Sequence, residues 1–157
     1  MPEKYAILIH ALRDSFGSRL KAVVLFGSRA RGDAAADSDH DIFVVAEDLP
    51  AEPLRRTKLV RGAISDCLAA LPGAINLHAR TPSEFEAVLT PLYLEVCVDG
   101  ICLFGESYFE PLRRRGLAAL ASSGMERKRV GRSLFWMFAD ARPRNWELTW
   151  GGYRECP

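Results

Sequence analysis

Along the first 110 residues, apolar positions switch between helical and strand spacing. Tyr5, Leu8, Ile9, Leu12 and Phe16 recur on one face at 3.6-residue spacing, which predicts an amphipathic helix over 3–16 with Gly17 as its stop. Leu20 to Phe26 is apolar and rich in β-branched residues, the pattern of a buried strand. Gly27-Ser28 ends it, a short helical turn covers Ser28 to Arg31, and Gly32 to Asp37 is a small, polar loop. Asp39 to Ala46 reads as a second strand whose apolar part is Ile42-Phe43-Val44-Val45. Residues 53–70 suit a helix with Pro53 in its first turn and Leu54, Leu59, Ile64, Cys67 and Leu68 as its inner face; Leu71-Pro72-Gly73 breaks it. Ala74 to Arg80 is a third strand. Thr81-Pro82-Ser83-Glu84 carries a capping box and opens a helix to about Leu89. A helix over Pro91 to Val98, a turn at Asp99-Gly100, a strand over Ile101 to Phe104 closed by Gly105, and a helix over 107–122 complete the series. The last 30 residues mix arginine with Trp136, Trp146 and Trp150 and show no clear period. The expected fold is α/β (α+β): a small mixed β-sheet with helices packed on it over 1–110, and a basic helical C-terminal tail over 111–157 packed on the same domain.

Composition narrows the class. The 157 residues are 48% hydrophobic and 26% charged, enough apolar side chain for a core, which excludes a disordered chain. The longest apolar run, Leu134 to Ala139, is far short of the roughly 20 residues a membrane helix needs. Glu3, Lys4, His10, Arg13 and Asp14 leave no signal-peptide core, so a cytoplasmic address is the default. The four cysteines form no C-x-x-C; Cys67, Cys97 and Cys102 read as small buried hydrophobes, and Cys156 is uninformative. The net charge of +1 hides an asymmetry: residues 1–110 carry −5 and residues 111–157 carry +6. The basic tail can meet phosphates or pair with the acidic front part.

The chemistry concentrates in Gly27-Ser28-Arg29-Ala30-Arg31-Gly32-Asp33 and Ser38-Asp39-His40-Asp41. A glycine where a strand enters a helical turn lets an anion approach the backbone N–H groups closely. Ser28 adds a hydroxyl, and Arg29 and Arg31 add positive charge. Asp39 and Asp41 stand at i and i+2 of a strand, on one face and roughly 6.6 Å apart along it. Such carboxylates repel unless a cation lies between them. Mg²⁺ suits the place, since it binds one or two carboxylates together with phosphate oxygens. A phosphate cradle beside a carboxylate pair is the apparatus of phosphoryl transfer.

At these residues the sequence resembles the minimal nucleotidyltransferases of the DNA polymerase beta superfamily. Gly27-Ser28, ten residues and Asp39-x-Asp41 match that signature, as does the longer Gly-Ser-Arg-Ala-Arg-Gly followed by Ser-Asp-x-Asp. Thr81-Pro82-Ser83-Glu84-Phe85 and Asp99-Gly100-Ile101-Cys102-Leu103-Phe104-Gly105 resemble later family segments, so the likeness spans about 18–110. The resemblance implies a polymerase-beta-like fold in which Gly27 and Ser28, flanked by Arg29 and Arg31, hold a nucleoside triphosphate. It further implies that Asp39 and Asp41 are catalytic and bind two Mg²⁺ ions, and that a nucleoside monophosphate, AMP from ATP, passes to a protein or small-molecule hydroxyl. The family's third carboxylate falls at Asn76, six residues before Pro82, a neutral side chain there. Glu84 and Glu95 are candidates to reach that place. Small family members also act as antitoxins paired with a helical HEPN-type toxin, and Asn76 suits that alternative of a weakly active or inactive binding module.

By strand parity, Asn76, His78 and Arg80 share a face, so His78 is either a base or a hydrogen-bonded surface histidine. His40 points to the opposite face from Asp39 and Asp41. Arg113-Arg114-Arg115 reads as a solvated helix face. Glu126-Arg127-Lys128-Arg129 with Arg132 is the stronger basic cluster, and Leu134-Phe135-Trp136-Met137-Phe138 packs either on the core or on a partner. No aromatic-interleaved basic pattern is present, so nucleic acid is a minor option; a homo-oligomer is open.

Overall fold

In the computed structural model, which describes residues 3–71, 73–131, 133–142 and 144–156, a four-stranded sheet is built on β1, with a strand hydrogen-bonded on each side of it and one more beyond. β1 (Leu20–Phe26) pairs antiparallel with β2 (His40–Ala46) on one side and with β4 (Ile101–Phe104) on the other; β3 (Ile75–Arg80) runs parallel to β2, giving the order β3-β2-β1-β4. The central strands are apolar on both faces because both faces are covered. On one face Val23, Leu25, Ile42 and Val44 pack with Leu8, Leu12 and Phe16 of α1 (Ala6–Phe16) and Val60 of α3 (Pro53–Ala63). On the other, Ala22, Val24, Phe43 and Val45 pack with Phe85 of α4 (Pro82–Ala87), Tyr93, Leu94 and Cys97 of α5 (Pro91–Asp99) and Phe109 of α6 (Glu106–Ser123). Burial pushes the Cys97 thiol up to about 12, which keeps it protonated and inert.

The mixed sheet with packed helices agrees with the expected fold class, and two details differ. Leu54 and Leu59 are exposed, at 79% and 44%; Ile64 and Cys67 are buried as expected, and Val60, one turn before Ile64, joins them on the inner face. The α-helix stops at Ala63 and tightens into a 3-10 stretch over Ser65–Ala70, which carries the buried Cys67. Pro72, in the expected break, lies outside the described residues.

The basic helical tail is corrected more deeply. The helix ends at Ser123, with Gly124 in the left-handed region at φ 69°, and two antiparallel hairpins follow: β5 (Met125–Val130) with β6 (Ser133–Phe138), and β7 (Trp146–Thr149) with β8 (Gly152–Glu155). The reason is visible in the exposure of β6. Leu134, Trp136 and Phe138 turn inward while Phe135 and Met137 turn out, a period of two that helical packing cannot satisfy. In β5, Met125 and Arg127 are partly covered and alternate with the exposed Glu126 and Lys128, so a strand underlies what reads as a charge cluster. Arg132 lies outside the described residues. The second hairpin closes the core: Leu148 and Trp150 are each 6% exposed, and Trp150 Nε1 donates to the Phe85 carbonyl at 2.9 Å. Among the described residues no helix is long and apolar enough to cross a membrane.

Candidate active site

The site forms where β1 ends and β2 and β3 begin. Register sets Phe26 opposite Asp41 and Asp41 opposite Asn76 across three adjacent strands. Asn76 Nδ2 donates to Asp39 Oδ2 at 3.1 Å and to Asp41 Oδ1 at 3.2 Å, so both carboxylates converge on one amide group. The i, i+2 spacing therefore does bring the two acids together on one face. Gly27, at φ 72°, opens α2 (Gly27–Arg31) directly beside them. A Cβ there would overlap the Asp41 carboxylate, so this position requires glycine on two counts, backbone conformation and space.

Behind the pair, His40 is fully buried, with its Nδ1 2.7 Å from the Tyr5 hydroxyl oxygen. It faces away from the site, as parity demands, and anchors the start of β2 to the N-terminal helical segment. His78 sits on the site's face, edge-on to Phe26 with ring centroids 5.5 Å apart. Burial lowers its pKa; the Asp41 charge opposes this, and the Arg80 charge adds to it. His78 is accordingly neutral near pH 7. Arg80 turns away: its Nε donates to the Tyr93 hydroxyl at 3.1 Å and its guanidinium also to the Ala79 carbonyl.

The two arginines of the bend have structural partners. Arg29 donates to the Ser38 and Ala36 carbonyls and so clamps the loop that leads into Asp39. Arg31 donates to Asp99 at 3.2 Å and to Asp33 at 3.4 Å. Asp99, at the end of α5, also receives both Nη groups of Arg127 from β5, at 2.6 and 2.9 Å, and Glu95 accepts from Arg127 at 2.9 Å. Burial would raise the Asp99 pKa, but hydrogen bonds and charge from Arg127 and Arg31 outweigh it and hold the carboxyl below the usual range. For Glu95 burial wins and its carboxyl is pushed up. Glu84 is bound through both oxygens to Arg56 at 2.8 Å and caps the Thr81 N–H. Neither Glu84 nor Glu95 is therefore free to supply a third acid, and among the described residues no group of three or more His, Cys, Asp or Glu is gathered for a metal. Asn76 itself occupies the third corner.

Arg127, Glu95 and Asp99 escaped sequence reasoning as a group, because the pairing joins residues 28 and 32 positions apart and only the matched charges of the tail and front part hint at it.

Comparison with known proteins agrees with this geometry. The model of the nucleotidyltransferase domain family matches residues 7–97, more than half of the chain. Two proteins of Methanocaldococcus jannaschii, named "Putative protein adenylyltransferase MJ1305" and "Putative protein adenylyltransferase MJ0604", are 40% identical over 52 residues and 43% identical over 49. Those matches span 33% and 30% of this chain, and only 35% and 49% of the relatives' own lengths. Among solved structures, a toxin-antitoxin with AMP-PNP superimposes with a TM-score of 0.54 at 26% identity, over 74% of this chain and 85% of that one. A mutant of the toxin-antitoxin MntA-HpeT gives 0.51 at 25%, over 71% and 82%. The matched segment contains the whole bend, both aspartates and Asn76, and on that basis the chain belongs to the nucleotidyltransferase domain family as a minimal nucleotidyltransferase.

Proposed function

We propose that this protein transfers the AMP of ATP to a hydroxyl group on a protein, with Mg²⁺ as cofactor. The observation that carries the reading is the convergence of Asp39 and Asp41 on a single point beside a glycine that leaves the bend open. The adenylyltransferase names of the relatives and the AMP-PNP of the structural neighbour favour ATP and a protein acceptor. Residues 1–110 make up the transferase unit in this reading, and 111–157 an extension packed on it.

The donor set fits Mg²⁺. Two carboxylate oxygens point at one amide hydrogen-bond donor, which is where a cation is electrostatically preferred, and hard oxygen ligands are what Mg²⁺ takes. Asp39 and Asp41 would hold two ions. When bound, the metal supplies neutralisation of the phosphate charge and a lowered proton affinity at the acceptor hydroxyl. The Gly27-Ser28 bend orients the phosphate chain through backbone N–H groups and the Ser28 hydroxyl, as a preorganised donor set. The acceptor oxygen bonds to the α-phosphorus, the bond from that phosphorus to the bridging oxygen breaks, pyrophosphate leaves, and the acceptor proton passes to water. Asn76 contributes no base. It orients the two aspartates, and its carbonyl oxygen is a weak ligand when the amide turns over.

Transfer of label from α-³²P-ATP to candidate protein acceptors, with Mg²⁺, tests the reading. Label should appear with wild type and vanish in Asp39→Ala plus Asp41→Ala; label that persists in the double variant refutes it.

One observation favours a second reading. Asn76 stands where the family has an acid, and the structural neighbours are toxin-antitoxins. In that reading the chain is a weakly active or inactive antitoxin that binds a helical HEPN-type toxin. Stable co-purification with such a partner, together with no labelling by any nucleoside triphosphate, would select it.

A further inference from the structure

A cleft of about 460 Å³ opens on the loop side of the Gly27-Ser28 bend. Ser28 and Arg31 of α2, Asp33, Asp37 and Ser38 of the following loop, and Arg129 of β5 line it. Neither Asp39 nor Asp41 is among its described lining residues. The cleft thus continues the bend away from the carboxylate pair, in the direction a phosphate chain takes beyond the α-phosphate if that atom lies at the aspartates.

The cations around it differ in how firmly they are held. Arg29 is fixed on backbone carbonyls. Arg31 is tied to Asp99, whose side chain is 7% exposed. Arg129 comes from 96 residues further along than its partner Asp33, at 3.0 Å, and the two side chains are 55% and 38% exposed. An ion pair this open is weak, screened by water and salt, so a multiply charged anion displaces the carboxylate readily. The strand beneath Arg129 is firm. Arg127, two residues earlier and on the same face of β5, is bound to Asp99 and Glu95, which fixes the hairpin against α5 and α2.

We propose that Arg129 is a ligand of the distal phosphates of the nucleoside triphosphate, and that Asp33 is the carboxylate that holds its guanidinium over the cleft until those phosphates arrive. This rests on the reading of the bend as the nucleotide site. A guanidinium presents paired donors that match phosphate oxygens two at a time. Asp33 keeps Arg31 as a partner when Arg129 leaves it, so the exchange abandons no charge. The assignment also gives the hairpin, which lies beyond the family-matched segment, a part in substrate binding: it lets the site distinguish a triphosphate from a monophosphate.

Titration calorimetry of ATP and of AMP, in Mg²⁺, on wild type, Arg129→Gln, Arg129→Lys and Asp33→Asn decides the matter. Arg129→Gln should weaken ATP binding about tenfold, the loss of one charge-assisted pair, with AMP binding unchanged. Arg129→Lys should recover part of the loss, and Asp33→Asn should tighten ATP. Equal ATP affinity in wild type and Arg129→Gln overturns the proposal and leaves the reading of the bend standing; so does an equal loss for ATP and AMP. A wild type that binds no ATP overturns both. Should Arg129→Gln fail to fold, Asp33→Asn still decides, because weaker ATP binding in that variant contradicts a placeholder role.

Discussion

Replacing Asn76 by Asp restores an acid to the third corner and exposes how the site is balanced. The amide nitrogen lies 3.1 Å from Asp39 Oδ2 and 3.2 Å from Asp41 Oδ1. A carboxylate oxygen in its place meets two like charges at those distances. Asp39 and Asn76 are exposed, so the water-like limit of Coulomb's law applies, and each contact costs about 1.3 kcal/mol. With the two lost hydrogen bonds to charged acceptors, discounted for that exposure, the total is about 3 kcal/mol at neutral pH. For a chain of this length each kcal/mol moves the melting temperature by roughly 2–4 °C, which gives a drop of about 6–12 °C in EDTA. Saturating Mg²⁺ should then raise the melting temperature of Asn76→Asp more than that of wild type, because three acids grip the cation better than two. Calorimetric scans of both proteins, with EDTA and with Mg²⁺, measure this. Equal melting temperatures in EDTA, or a deficit that Mg²⁺ leaves untouched, would refute the placement of Asn76 at a shared cation point.

Two further outcomes are expected. Gly27→Ala forces a side chain into the left-handed region and against Asp41; it should cost about 1–3 kcal/mol in urea denaturation and abolish ATP binding, and unchanged transfer activity would contradict the role of the bend. Glu84 is held below its ordinary value of 4.5, chiefly by hydrogen bonds from Arg56, against the opposing effect of burial. A group whose folded-state pKa is depressed stabilises fully above its unfolded value, and that contribution is lost as pH falls through the folded value. Glu84→Gln should therefore lower the urea midpoint at neutral pH by the equivalent of about 1 kcal/mol, discounted for its 40% exposed side chain, and the gap should close in acid; parallel curves from neutral to acid pH would contradict this.

How much was legible in advance depended on whether the deciding contacts were local. β1 and β2 announce themselves through runs such as Ala22–Phe26 and Ile42–Ala46, apolar on both faces. The capping box at Thr81 is a four-residue signal and forms as read. The aspartate pair needed only strand parity, and Asn76 joined it through register. On α3 the sequence favours the larger Leu54 and Leu59 over Val60, while the helix is rotated so that Val60 lines up with the expected Ile64 and both leucines face out. The hairpins are hidden because Arg127 and Arg129 read as part of a basic cluster with no strand period. Their partners Asp99 and Asp33 are remote in the chain, and nothing local distinguishes a bound arginine from a hydrated one. For the same reason Arg29 and Arg31 read as cradle cations, although their nearest partners are loop carbonyls and Asp99.

The indole of Trp150, hydrogen-bonded to the carbonyl of Phe85, has a consequence for how the molecule is made. Phe85 and Tyr93 meet edge to face within the second core layer, and the ring that covers Phe85 follows it 65 residues later in the chain. Translation delivers Asp39 and Asp41 more than a hundred residues before Trp150, the lid on the layer beneath them. A nascent polypeptide stalled around residue 110 would therefore carry its aspartate pair on an uncovered aromatic floor, vulnerable to chaperones and proteases until the β7-β8 hairpin arrives.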